Sequence, residues 1–272
     1  MSIAGGFYRA IERGQEIGCT AIQLFTKSNR QWEAKPITQA EADQFKEAWE
    51  ASPIECITAH ASYLINIGSP NQAVAHKSLK ALILELERCA TLGIPTLVLH
   101  PGSRLTSTKE ECLERITDNI NSALEETDKT IVLIETMAGQ GSNVGNSFED
   151  LASIIKQVKQ KRRVGVAMDT CHLFAAGYNI STKSGFLDTL KQFDALIGMD
   201  QLHLIHLNDS KQTVGSNVDR HEEIGKGKIG IEGFSLVMNA EKLADIPKIL
   251  ETPDSDKYAY NMKLLRDLIK KK

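Results

Sequence analysis

The chain has 272 residues, 42% of them hydrophobic, and a formal net charge of −3. That length is ample for one buried core, and the slight acidity excludes binding to nucleic acid through overall charge, so any such reader must gather its basic residues locally. The five cysteines, an odd number with no Cys-x-x-Cys pair, argue against a thiolate zinc site and for a reducing compartment. No apolar run is long enough to span a membrane and no basic-then-apolar leader opens the chain, so a cytoplasmic protein is expected.

Residues 5–18 predict a helix stopped at Gly18, followed by a strand over 19–25 (CTAIQLF) and a polar loop over 26–36. A helix over 37–51 is led by Thr38 as N-cap, and IECITAH at 54–60 is the next strand. A long loop then precedes a helix over 71–92 closed by Gly93, a strand over 96–100 and a helix over 109–126. The strand TIVLIE at 130–135 leads into a glycine-rich loop at 138–145 and a helix over 147–160 capped by Ser147. VGVAMD at 164–169 is a buried strand, and His172 is expected in the loop just beyond it. The remainder predicts a helix over 185–196, a strand over 201–206, a long polar loop to Gly230, a helix over 231–242, a strand over 246–251 and a closing helix over 258–271.

Seven short apolar strands alternating with helices specify a parallel α/β sheet. A closed (β/α)₈ barrel requires eight. The expected fold is a TIM (β/α)8-type barrel, a single domain over 1–272, read either with its first strand missing from this chain or as a barrel closed another way.

The polar residues that close successive strands are His60, His100, Glu135, Asp169, His206 and Glu251. In a parallel barrel all these ends share one face, the face on which such folds carry their sites. Imidazole and carboxylate are the ligands that zinc and related divalent ions take. A lone Asp-x-x-His, as at Asp169–His172, is more often an N-cap beside a surface histidine. A succession of such ends is much harder to obtain by chance. His172, Asp219 and His221 add further ligands from loops, and Asp219 and His221, two apart, point the same way from extended chain. One tetrahedral ion would be over-served by this set. It implies a cluster, and ions about 3.5–4 Å apart are the usual equipment for phosphodiester hydrolysis. His76 is expected on a helix surface, and His203 on the opposite strand face from His206.

The run Ile205-His206-Leu207-Asn208-Asp209-Ser210-Lys211, continued through 215–222 and 224–227, resembles a signature of the endonuclease IV family of apurinic/apyrimidinic endonucleases. Met168-Asp169-Thr170-Cys171-His172 with Ala175-Ala176-Gly177-Tyr178 is similar to a second signature, and Glu135-Thr136-Met137-Ala138-Gly139-Gln140-Gly141 to a third. The likeness runs from Ala4 to the C-terminus. It implies a TIM barrel holding three zinc ions: His60 and His100 on one, Glu135 bridging to a second completed by Asp169, His206 and Glu251, and His172, Asp219 and His221 on the third. It further implies cleavage of the phosphodiester 5′ to abasic sites in duplex DNA, leaving a 3′-hydroxyl and a 5′-deoxyribose phosphate, and trimming of blocked 3′ ends. Glu251 and Glu135 are the residues implied in catalysis.

Arg30, Tyr63 and Leu64 match positions that wedge into the duplex in that family. Lys211 and Arg220, with Lys27, Lys35, Lys226 and Lys228, form the expected basic rim toward phosphates. A monomer is expected. Three departures from the family pattern stand out: the missing opening strand, Ser28 where members often carry Asn, and Asn179 in place of a frequent Asp. Two other functions fit parts of the pattern. A metal-dependent sugar isomerase or epimerase on a similar barrel also places His and carboxylates at strand ends, but two metals or fewer suffice and the Asp219–His221 pair has no use there. A non-catalytic abasic-site binding protein is the other.

Overall fold

Short apolar runs form parallel strands, and the amphipathic stretches between them form helices, in the computed structural model, which describes residues 1–270. Two units are distinguished: residues 1–134 with 154–165, and residues 135–153 with 166 onward.

The first unit contains α1 (Tyr8–Glu16), β1 (Ala21–Leu24), α2 (Gln39–Glu50), β2 (Cys56–His60), α3 (Gln72–Leu92), β3 (Thr96–Leu99), α4 (Lys109–Glu126) and β4 (Ile131–Glu135), whose last residue opens the second unit. Its strands pair in parallel, with Leu24 on Ala59, His60 on Val98 and Leu99 on Ile134. Helix starts follow local chemistry. Thr38 and Thr108 each accept the backbone N–H three residues on, and Glu41 and Glu111 reach back to the cap N–H, so α2 and α4 both begin with a capping box. Asn71 caps α3, and Gly93 ends it at φ +78°, a conformation that a side chain would strain. Ile22, Leu24, Ile57, Ala59, Leu97 and Leu99 are buried between sheet and helices, each large one contributing about 1.5–3 kcal/mol.

The second unit takes the start of α5 (Phe148–Gln157) and most of β5 (Val164–Asp169), then α6 (Thr170–Ala176), α7 (Lys183–Leu196), β6 (Leu202–Leu207), β7 (Asp209–Ser210), β8 (His221–Glu222), α8 (Gly230–Asn239), β9 (Lys248–Leu250) and α9 (Tyr258–Asp267). Asp169 pairs with His206, His206 with Ile249 and Leu207 with Leu250, all in parallel. β7 and β8 form a small antiparallel ribbon. Phe148 stacks on Tyr178 and meets Phe193 edge-on, which ties α5 to the segments around α6 and α7.

Several expectations change. The segment after β5 is the helix α6, not a loop: Asp169 accepts the His172 N–H as N-cap, and burial of Thr170–Ala175 compensates for weak helix formers. The β7–β8 ribbon replaces part of the predicted polar loop. His100 and Glu251 follow their strands by one residue instead of ending them. α8 stops at Asn239, before the predicted 242, and the closing helix stops at Asp267; Lys271 lies outside the described residues. No helix among the described residues is long and apolar enough to cross a membrane.

Candidate metal centre

In the first unit, strand register brings two imidazoles together. His60 ends β2 opposite Val98, and His100 lies two residues beyond Val98. The rings are 5.0 Å apart between centroids and nearly perpendicular, with a nitrogen of each within 4.8 Å of the other. His60 Nδ1–H donates to the carbonyl of Ala61 at 2.7 Å, which makes Nε2 its basic nitrogen. Tyr63 leans over the pair, its centroid 5.3 Å from His60 and 5.6 Å from His100. It is 57% exposed, Leu64 is 36% exposed, and Arg30 faces solvent.

In the second unit, donor atoms of Glu135, Asp169, His206 and Glu251 lie within 4.8 Å of one another, as do those of Asp169, His172 and His221. Glu135 Oε1 accepts from His206 Nδ1 at 3.1 Å, and Glu251 Oε2 stands 3.3 Å from the same nitrogen. Asp219 reaches in from the loop between β7 and β8, 3.2 Å from His172 Nε2 and 3.3 Å from His221 Nε2. Cys171 Sγ is also within reach of Asp219 and His221, but burial pushes its thiol up to about 12, which disfavours the thiolate.

The imidazoles are aimed by main chain. His172 Nδ1–H donates to Thr136 O at 2.8 Å and His221 Nδ1–H to Glu251 O at 3.1 Å, as His60 does to Ala61. A carbonyl accepts only, so each Nδ1 carries the proton and each Nε2 is basic. His221 Nε2 is buried and has no hydrogen-bond partner. Electrostatics agree with this donor set. Burial pulls His206 down, yet Glu251, Glu135 and Asp169 outweigh it and raise it to about 9. Burial likewise opposes His172, and Asp169, Asp219 and Glu135 raise it well above the usual histidine range. Asp219 is held below the ordinary carboxyl range: burial pushes it up, and the bond and charge of His172, with His221, overcome this. Buried carboxylates crowded against imidazoles are an arrangement that divalent cations satisfy. The residues fit zinc.

Other residues position this cluster. Asn208 is fully buried; its Nδ2 donates to Asp169 Oδ2 at 2.6 Å and its Oδ1 accepts the Glu251 N–H at 2.9 Å. Thr136 Oγ1 accepts the Asp169 N–H at 2.9 Å. The buried carboxylate of Asp209 accepts N–H groups from Gly225, Gly227, Ile229 and Gly230, closing the loop that carries Asp219 and His221. In sequence, Asn208 and Asp209 count only as members of the run Ile205–Lys211 that resembles the family signature, with no role of their own. Their position two and three residues after His206, inside the longest motif, was the one available signal.

His76 is exposed in α3 and His203 is half-buried in β6, as expected. Lys211 and Arg220 are exposed, together with Lys35, Lys226 and Lys228. Lys27 does not join that rim: it is buried and paired with Glu85.

A profile described as xylose isomerase-like TIM barrel matches residues 11–268. The chain is 44% identical to the probable endonuclease 4 of Trichlorobacter lovleyi, covering 98% of this chain and 97% of that one. It is 46% identical to that of Chlorobium luteolum, with the same shares covered. The crystal structure of endonuclease IV from Thermus thermophilus superposes with a TM-score of 0.88 at 35% identity, covering 98% of this chain and 96% of that one. A D-tagatose 3-epimerase-like protein, at TM-score 0.75 and 18% identity, shares the fold. With the TIM-barrel expectation met and full-length likeness to these nucleases, the chain belongs to the xylose isomerase-like TIM barrels and, among them, to the endonuclease IV family.

Proposed function

We propose that the protein is a zinc-dependent apurinic/apyrimidinic endonuclease, which hydrolyses the phosphodiester 5′ to abasic sites in duplex DNA and trims blocked 3′ ends. It acts in the cytoplasm as a monomer of one TIM-barrel domain. The supporting observation is the gathering of Glu135, Asp169, His206 and Glu251, beside Asp169, His172 and His221, in a chain 44% identical to a probable endonuclease 4 over 98% of its length.

Three zinc ions would be held: one by His60 and His100, a second by Glu135, Asp169, His206 and Glu251, and a third by His172, Asp219 and His221. Zinc, when bound, supplies Lewis acidity to a phosphate oxygen and to water at neutral pH. Glu251 is the carboxylate best placed to take a proton from the attacking water, since its side chain keeps 21% exposure while Glu135 and Asp169 are fully buried. The water oxygen bonds phosphorus as the P–O3′ bond breaks, and the departing 3′ oxygen takes a proton to become the 3′-hydroxyl. Glu135 keeps His206 and His172 oriented. Tyr63, Leu64 and Arg30 enter the duplex, where an abasic nucleotide is the least costly to flip because it has no base to unstack. Lys211 and Arg220 meet phosphates.

The test is nicking of a duplex that contains one tetrahydrofuran abasic analogue. Zinc-loaded protein nicks it 5′ to the lesion and leaves the undamaged duplex whole, and prolonged chelation abolishes nicking. A folded, zinc-loaded sample that leaves the abasic strand intact refutes the assignment. One manganese or magnesium per chain, with turnover of a ketose, returns the sugar-epimerase function; binding of abasic DNA without cleavage returns the binding protein.

A further inference from the structure

Buried charge outside the metal centre is concentrated on one face of α3. Glu85 and Arg88, three apart, are both buried there, and neither is a candidate ligand. Glu85 Oε1 lies 3.1 Å from Lys27 Nζ, in an ion pair whose side chains are almost wholly shielded from solvent. The same oxygen accepts the backbone N–H of Ser62 at 3.1 Å. One carboxylate therefore holds two loops: residues 25–38 between β1 and α2, which carry Arg30, and residues 61–71 between β2 and α3, which carry Tyr63 and Leu64.

Five further contacts extend the arrangement. Lys27 Nζ donates across its own loop to Gln31 O at 2.6 Å. Ser62 Oγ donates to Asn29 O at 2.7 Å, joining the loops directly beside Arg30 and Tyr63. Arg88 bridges the loop from behind, donating to Thr26 O and, at 2.7 Å, to Lys35 O. Lys77, eight residues before Glu85, covers the Trp32 ring at 4.6 Å. Burial pushes the Glu85 carboxyl up, against the pull of Lys27 and the Ser62 N–H, so the pair spends much of its attraction on desolvation and contributes little net stability. Its chief effect is to set geometry.

We infer that Glu85, with Lys27 and Arg88, positions the Arg30 loop against the Tyr63–Leu64 loop and so sets how the protein engages the distorted duplex. The inference rests on the proposed insertion of those side chains into abasic DNA. None of the three residues touches the substrate in this scheme; each acts through the loop it holds.

Glu85→Gln keeps the size and the Ser62 acceptor and removes the charge. Arg88→Lys keeps the charge and cannot span Thr26 O and Lys35 O together. Ser62→Ala cuts the direct link between loops with little risk to folding. Steady-state nicking of the tetrahydrofuran duplex, zinc content, melting temperature and binding of an undamaged duplex are measured for each variant and for wild type. Each variant is expected to raise KM for the abasic duplex about tenfold, the size of one lost hydrogen bond between the loops, with kcat within about twofold of wild type. Zinc content stays at the wild-type value. Undamaged-duplex binding changes less than about twofold, because phosphate contacts alone carry it. If the charged variants fail to fold, Ser62→Ala alone decides. Wild-type KM in Ser62→Ala and in every folded charged variant overturns the inference, as does lost zinc that accounts for the lost turnover. Absence of nicking by wild type refutes instead the proposed function on which the inference rests.

Discussion

In the proposed mechanism two roles meet in the Glu251 carboxylate, metal ligation and proton acceptance. Glu251→Gln keeps the shape and removes the base, so nicking is expected to fall by about 10²–10⁴ while binding of abasic duplex stays near wild type; single-turnover cleavage and a gel-shift titration measure the two. Asn208 acts one step further out. Asn208→Ala frees Asp169 Oδ2 and the Glu251 N–H together, and zinc affinity or turnover is expected to drop about 10–100-fold, as for other partners of metal ligands; competition with a fluorescent chelator reads the affinity. The ligand candidates at strand ends were legible in sequence as a set: one imidazole or carboxylate after an apolar run is often only a cap, but six in succession are hard to obtain by chance. Asn208 was not legible in that way. Its amide is defined by partners 39 and 43 residues distant, and nothing in its immediate neighbours announces them. Lys27 was misassigned to the rim for the same reason, since its partner Glu85 comes from another element.

Among elements, the loop from β7 to α8 depends most on a single group. The Asp209 carboxylate collects backbone N–H donors the way a backbone nest collects an anion, with protein and anion roles exchanged. Gly227 must lie close for this to work: a Cβ there would stand 2.3 Å from Ser210 O and 2.5 Å from Asp209 Oδ1. Gly227→Ala is therefore expected to destabilise the protein by about 1–3 kcal/mol and to loosen the segment carrying Asp219 and His221. Urea unfolding gives the first effect, and faster amide exchange over 211–228 gives the second. Helices with strong local signals were readable almost to the residue, α3 closed by Gly93 and α2 led by Thr38. α6 was hidden, since Thr-Cys-His lacks helix propensity and burial supplies what propensity does not. The two-residue strands β7 and β8 were hidden because so short a ladder has no periodicity to detect.

For the whole molecule, the proposed zinc would be a large share of the stability. Saturating metal at about a thousand times its Kd adds about 4 kcal/mol per site, so chelation is expected to lower the melting temperature by roughly ten degrees or more, and scanning calorimetry with and without chelator measures it. Alternation of strand and helix made the fold class plain from sequence, since few other architectures use that order. The carbonyl anchors on His60, His172 and His221 carry a last consequence. Because Ala61, Thr136 and Glu251 supply main-chain oxygen to these rings, the aim of each imidazole survives almost any side-chain exchange at those three supporting positions. Stripped protein should thus recharge within its native state, without a passage through the unfolded chain.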